Sequence, residues 1–266
     1  MDILKRSISP ISDAAWQEID EQAIKVLKSR LSGRKFVDVL GPFGWDHAVV
    51  STGRLDVSAS EDKEDVRWGV HVVQPLVETR SFFEMDTWEL DNVARGVKDL
   101  ELDSLIRAAE KVASFEENAL YNGFEPGCIV GLAQAGEDHQ IPVATENPRS
   151  IMAGVSEGLI FFQKSSIEGP YIFVAGPQLW KAVDVAGEGY PLRKRITSLF
   201  DGGIILAPEL EGGFLVSARG GDFELTLGQD LSIGFECSTG DKVQLFMAES
   251  FSFRVIEPKA VVPLAL

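Results

Sequence analysis

Three histidines and two cysteines are the strongest candidates for chemistry in this 266-residue chain. His47 follows Asp46, His139 follows Asp138, and His71 alternates within an apolar run, so none has an H-x-x-x-H or comparable metal-ligand spacing. A serine nucleophile needs a strained strand-to-helix elbow to present its hydroxyl, and neither that elbow nor a phosphate-cradling glycine loop is expected here. Glu137-Asp138-His139 could hold a cation but reads as a solvated loop. Cys128 and Cys237 form no disulfide framework or metal spacing, and are expected to be buried, reduced thiols. An exposed indole at Trp88 could stack on a planar ring such as a flavin. No phosphate-binding groups lie near it in sequence, so core packing is expected, with no cofactor and no metal. One loop, Ala186-Gly187-Glu188-Gly189-Tyr190-Pro191, sets a single carboxylate between glycines ahead of a basic helix start.

Catalysis therefore gives way to scaffold. The chain is 45% hydrophobic, enough for one large core or two moderate ones. Its net charge of −16 opposes nucleic-acid packaging, which needs Lys and Arg to displace phosphate counterions. The first forty residues are nevertheless balanced, with seven basic and six acidic side chains. No apolar run approaches the ~20 residues of a membrane span, and MDILKRSISPIS lacks the apolar core of a signal peptide, so cytoplasmic residence is expected.

Ser12 is a candidate N-cap for a helix whose Trp16, Ile19, Ala23, Val26, Leu27 and Leu31 recur every three or four residues before Gly33. The stripe serves either packing within its own domain or a groove for a partner peptide. Residues 48–73 read as two strands around the acidic turn ASEDKED; an isolated ribbon is marginal in water and needs its own core or a neighbouring subunit. Beyond it follow the strand LVETRSFFEM, the short helix WELDNVARG, and a long helix from Ser104 to Asn122 ended by Gly123. After Gly127, helices at Pro148–Lys164, Pro177–Val183 and Leu192–Phe200 alternate with short strands at Tyr171–Ala175, Ile204–Leu206 and Gly213–Ser217. Last comes RGGDFELTLGQDLSIGF, an alternating strand interrupted at Gln229-Asp230.

That last stretch, with LKRSISPIS, GRKFVDVLGPFGW, TWELDNVARG, EGPY and GYPLRKR in the same order, resembles the encapsulin shell proteins, which are related to tailed-phage major capsid proteins. The resemblance implies an α+β, HK97 phage capsid-like fold with peripheral domain, apical domain and extended β-hairpin loop. Its segments would be an N-terminal helix and the start of the peripheral domain (1–47), the extended loop (48–74), the peripheral domain with its spine helix (75–126), the apical domain (127–222) and peripheral return strands (223–266). It also implies a non-enzymatic icosahedral shell of about sixty subunits or a multiple, with the ribbon lying on the next protomer. By the same resemblance, a cargo protein's terminal targeting peptide would sit on Leu27, Leu31, Arg34 and Asp38, facing Asp230, Leu231 and Ile233. Gly187, Glu188, Gly189 and Tyr190 would line a five-fold pore whose carboxylate ring favours cations. Family cargoes are ferritin-like iron-oxidising proteins or dye-decolorising-type peroxidases, which points to iron storage or oxidative-stress defence. Two alternatives stand beside this reading. A viral major capsid protein usually carries an N-terminal scaffolding extension, whereas here the amphipathic helix begins almost at once. A hydrolase or secreted bacteriocin would need a nucleophile or an export signal.

Overall fold

The computed structural model describes residues 2–57, 67–185 and 191–266. In chain order it places α1 (Asp13–Arg30), β1 (Asp38–Leu40), β2 (Val49–Val57), β3 (Gly69–Pro75), β4 (Val77–Asp86), α2 (Thr87–Ala94) and α3 (Asp103–Asn122). The second half contributes α4 (Leu132–Ala135), β5 (Ile141–Pro142), α5 (Pro148–Lys164), β6 (Tyr171–Ala175), α6 (Pro177–Val185), α7 (Leu192–Thr197) and β7 (Ile204–Leu206). It ends with β8 (Gly213–Ser217), β9 (Phe223–Leu227), β10 (Ser232–Thr239), β11 (Lys242–Val255) and β12 (Val261–Ala265). Among the described residues no helix is long and apolar enough to cross a membrane.

Two five-stranded sheets organise the chain. The first runs β1-β9-β11-β10, with β4 on the opposite edge of β11. The second runs β5-β12-β8-β6-β7. One helix serves both cores: Leu105, Ala108, Ala109 and Val112 of α3 pack with α1 and the first sheet, whereas Ala119, Leu120 and Tyr121 pack with the second. Small residues along the first half of α3 let α1 approach closely, and Gly123, at φ +90°, stops the helix.

The expected grouping of residues 223–266 with the first sheet does not extend to β12. Its run VVPLA crosses over and pairs antiparallel with β8 and parallel with β5. Val261, Val262 and Leu264 are all buried, as a central strand covered on both faces requires. The cysteines also depart from expectation, because Cys128 and Cys237 are both exposed free thiols. Cys128 follows a tight turn in the left-handed region (φ +54°), and Cys237 lies in the outer, exposed half of β10.

The ribbon β2–β3 stands apart from both sheets. Val57 pairs with Gly69 and Leu55 with His71, while Val70 and Val72 face Asp56 and Arg54. Since successive side chains alternate, Leu55 and Val57 lie on one face and Val70 and Val72 on the other, all of them exposed. Among the described residues it is tied down at its base, by Leu76 N donating to Ala48 O at 2.9 Å, Gln74 Nε2 to Phe253 O at 2.8 Å and Arg254 Nη1 to Ser51 O at 3.4 Å. The acidic turn at 59–65 lies outside the described residues.

Candidate functional site

α1 begins at Ser12, whose Oγ accepts from Ala15 N at 3.3 Å. Ala15, Trp16, Ile19, Ala23 and Leu27 are buried by this helix, while Ile24 on its flank remains 49% exposed. The facing wall comes from an irregularity in the β9–β10–β11 hairpin. Leu227 pairs with Phe251 and Ser232 with Ala248, so the four residues Gly228 to Leu231 stand opposite only Glu249 and Ser250. The surplus bulges out of the ladder. Ser250 stitches it closed: Gln229 N donates to Ser250 Oγ at 2.7 Å and Ser250 N donates to Gln229 O at 2.9 Å. A side chain at Gly228 would place its Cβ 2.5 Å from Ser250 Oγ, so glycine is needed there. Asp230 and Leu231 thereby reach the α1 side, and a cavity of about 370 Å³ opens between them and Leu27, Lys28, Leu31 and Arg34. A second, of about 390 Å³, continues it over Leu4, Ala23, Leu231 and Ile233.

Arg34 closes the end of this groove. Its Nε donates to Glu116 Oε1 at 2.9 Å, its Nη1 to Asp230 Oδ1 at 2.8 Å, and its Nη2 to Glu249. Burial alone would favour losing the proton, but Glu116, Glu249 and Asp230 outweigh it and hold the guanidinium charged. Glu249 is fully buried, and burial together with its neighbour Glu116 drives its carboxyl well above the ordinary range. Its Oε2 has no hydrogen-bond partner among the described residues. The residue after Glu116 on α3, Glu117, accepts from Gly33 N at 2.8 Å and bonds Ser32 Oγ, which lies 2.7 Å from Tyr121 Oη. Burial pushes Glu117 up to about 7 against those hydrogen bonds. Together these groups fix residues 32–34, the turn that aims Arg34 at the groove.

Six of the predicted peptide-site residues meet here: Leu27, Leu31, Arg34, Asp230, Leu231 and, beneath the surface at 3% exposure, Ile233. Asp38 does not line either cavity; its carboxylate accepts from Gly221 N at 2.5 Å and fastens β1 to the Arg-Gly-Gly-Asp turn. Sequence spacing missed Glu116, Glu117 and Glu249. The signal available was three carboxylates at positions an amphipathic stripe or alternating strand turns inward. Gly187, Glu188, Gly189 and Tyr190 lie outside the described residues.

The remaining candidates behave as follows. A G-x-S-x-G string does occur, at Gly154 to Gly158, but it lies inside α5. There Ser156 Oγ donates to Met152 O at 2.9 Å, and Gly158 admits Leu215, whose Cδ1 would be 2.3 Å from an added Cβ. It is a helix-packing feature and presents no nucleophile. Trp88 is not packed in the core; it is 68% exposed, on α2, whose N-terminus is capped by Asp86. His139 stacks on Phe161 at 4.4 Å with Nε2 2.5 Å from Val261 O. Among the described residues no group of His, Cys, Asp and Glu is gathered to hold a metal.

Two interlocked sheets on one spine helix, with a separate arm that exposes Leu or Val on each face, define a capsid-type shell subunit of the HK97 phage capsid-like fold. Solved structures share it. A virus-like particle from Pyrococcus furiosus superposes with TM-score 0.67 at 16% identity, covering 94% of this chain and 98% of that one. The capsid of an empty GTA particle gives 0.58 at 15% identity, over 89% and 90%. The family described as "encapsulating protein for peroxidase" matches residues 1–252. The type 1 encapsulin shell protein of Rhodospirillum rubrum is 37% identical over 99% of this chain and 96% of its own, and that of Mycobacterium tuberculosis 34% over the whole of both. The chain belongs to the encapsulin shell-protein family, whose members are structural, capsid-like proteins that assemble from copies of themselves.

Proposed function

We propose that the assembled shell is a cytoplasmic icosahedral nanocompartment that encloses a cargo enzyme, holding the cargo's terminal targeting peptide in the α1 groove. The observation that carries this is the groove itself: an apolar floor of Ile24, Leu27, Leu31 and Leu231 beside fixed charges, on a chain whose family builds shells. Tethering would raise the local concentration of cargo without any chemistry by the shell. A ferritin-like iron-oxidising protein or a dye-decolorising-type peroxidase fits this role, serving iron storage or oxidative-stress defence. Ile24→Glu tests the groove at an exposed position that the fold does not need. Cargo recovered per purified shell, by mass spectrometry, should fall at least about tenfold while electron microscopy shows normal particles. Undiminished cargo would refute the groove.

The arm β2–β3 is proposed to gain its cover from an adjacent protomer. Val70→Lys with Val72→Lys changes only side chains that are exposed in the subunit. The expected result is a folded subunit that sediments as a small species; intact shells from the double variant would overturn the assignment.

The loop at Gly187, Glu188, Gly189 and Tyr190 is proposed to line the five-fold opening, with Glu188 repeated around it. Glu188→Lys is expected to slow cation entry several-fold with assembly intact, as read by stopped-flow uptake of ferrous iron into loaded shells. Unchanged kinetics would remove Glu188 from the pore.

A further inference from the structure

The groove beside α1 does not stop at the residues discussed above. A third cavity, of about 550 Å³, lies over the first half of the helix against Ser9, Trp16 and Gln17. Ile24 lines all three cavities, and Arg6 and Asp20 line both the second and the third. They therefore form one trough along α1. Eighteen helical residues at 1.5 Å each make it about 27 Å long, room for about eight residues of extended peptide.

Its two ends carry opposite charge. At the Arg34 end stand Lys28 and Lys35, both exposed and neither within salt-bridge distance of a carboxylate among the described residues. Arg34 is saturated by its three carboxylates and offers nothing further. Lys28 suits the C-terminal turn of α1, but Lys35 lies beyond the helix and has no such role. At the far end, Asp20 is engaged by Arg6 in a two-pronged pair at 2.7 Å, which leaves Asp13 and Glu21 as surplus negative charge. In between, the lining is apolar: Ile24, Leu27 and Leu231.

We infer that this trough selects an extended, dipolar peptide of another protein. An acidic side chain would lie at Lys28 and Lys35, apolar residues over Ile24 and Leu231, and a basic side chain at Asp13 and Glu21. The inference rests on the groove reading proposed above and adds its charge rule. Complementary charge at the rim of an apolar site discriminates among partners of equal hydrophobicity. Because the three cavities run on from one another, the peptide lies along the helix.

The test uses assembled shells and three acetylated, amidated, fluorescent ten-residue peptides with leucine at alternate central positions. One has glutamate at one end and lysine at the other, one has glutamine at both ends, and one has lysine at both. By anisotropy at low salt, the dipolar peptide should bind wild-type shells at least about tenfold more tightly than either of the others. In Lys28→Gln with Lys35→Gln, its advantage over the glutamine peptide should shrink to about threefold or less. Equal binding of the three peptides, with all of it lost in Ile24→Glu, would overturn the charge rule and leave the groove standing. Binding of none to wild type, together with normal cargo in Ile24→Glu, would overturn both.

Discussion

Replacing Arg34 with methionine should cost the subunit about 3–5 kcal/mol, the range for removing one partner of a buried ionic cluster. The side chains of Glu116 and Glu249 have no exposure at all, and Arg34 is the cation that serves both. Without it, burial and mutual repulsion act on two carboxyls that cannot reach water. Urea unfolding of dissociated subunits gives the measurement. A second change, Glu249→Gln in the Arg34→Met background, should recover part of the loss, because one of the stranded carboxyls is then neutral. A loss under about 1 kcal/mol in the single variant would show that the cluster relaxes by protonation alone.

Glu117 sets the second expected result, a dependence of stability on pH. Its carboxyl titrates near 7 in the folded chain, against an ordinary value of 4.5. Between those two values the folded state keeps a proton that the unfolded state has released, so stability falls as pH rises. The contribution is complete below about 4.5 and lost by about 7, and the shift corresponds to about 3 kcal/mol. Glu249 acts with the same sign. Glu117→Gln can still accept from Gly33 N and meet Ser32 Oγ, while it carries no titrating proton. Wild-type subunits should therefore lose more unfolding free energy between pH 5 and pH 8 than the Gln variant does. Identical pH profiles would exclude Glu117 as the source.

Much of this architecture could be read from residue order. The helix Pro148–Lys164 and the strands Tyr171–Ala175, Ile204–Leu206 and Gly213–Ser217 appear with the expected bounds, because each is a short apolar pattern framed by Pro, Gly or a cap. Gln229 and Asp230 were visible as a break in alternation, and that break is the bulge that builds the groove wall. What escaped was non-local. Nothing near β12 tells it to leave the first sheet, since an apolar run suits the centre of either one. Nothing near Glu116 or Glu249 announces Arg34, which lies 82 residues from one and 215 from the other. The family resemblance assigns Asp38 to the groove, but the strand that starts there turns its carboxylate to the Arg-Gly-Gly-Asp turn. Burial likewise cannot be read from a lone Trp88 or Cys128, whose types suit a core and whose positions are on turns and short helices.

The crossing of β12 has a mechanical corollary. A strand that leaves one layer and enters the middle of the other sews the two lobes together, as a stitch does two pieces of cloth. Bending between the lobes would pull on β12, which Val261 and Val262 anchor beside Val216 and Leu215. Hinging between the two layers is therefore resisted within the subunit by the ladder of β12.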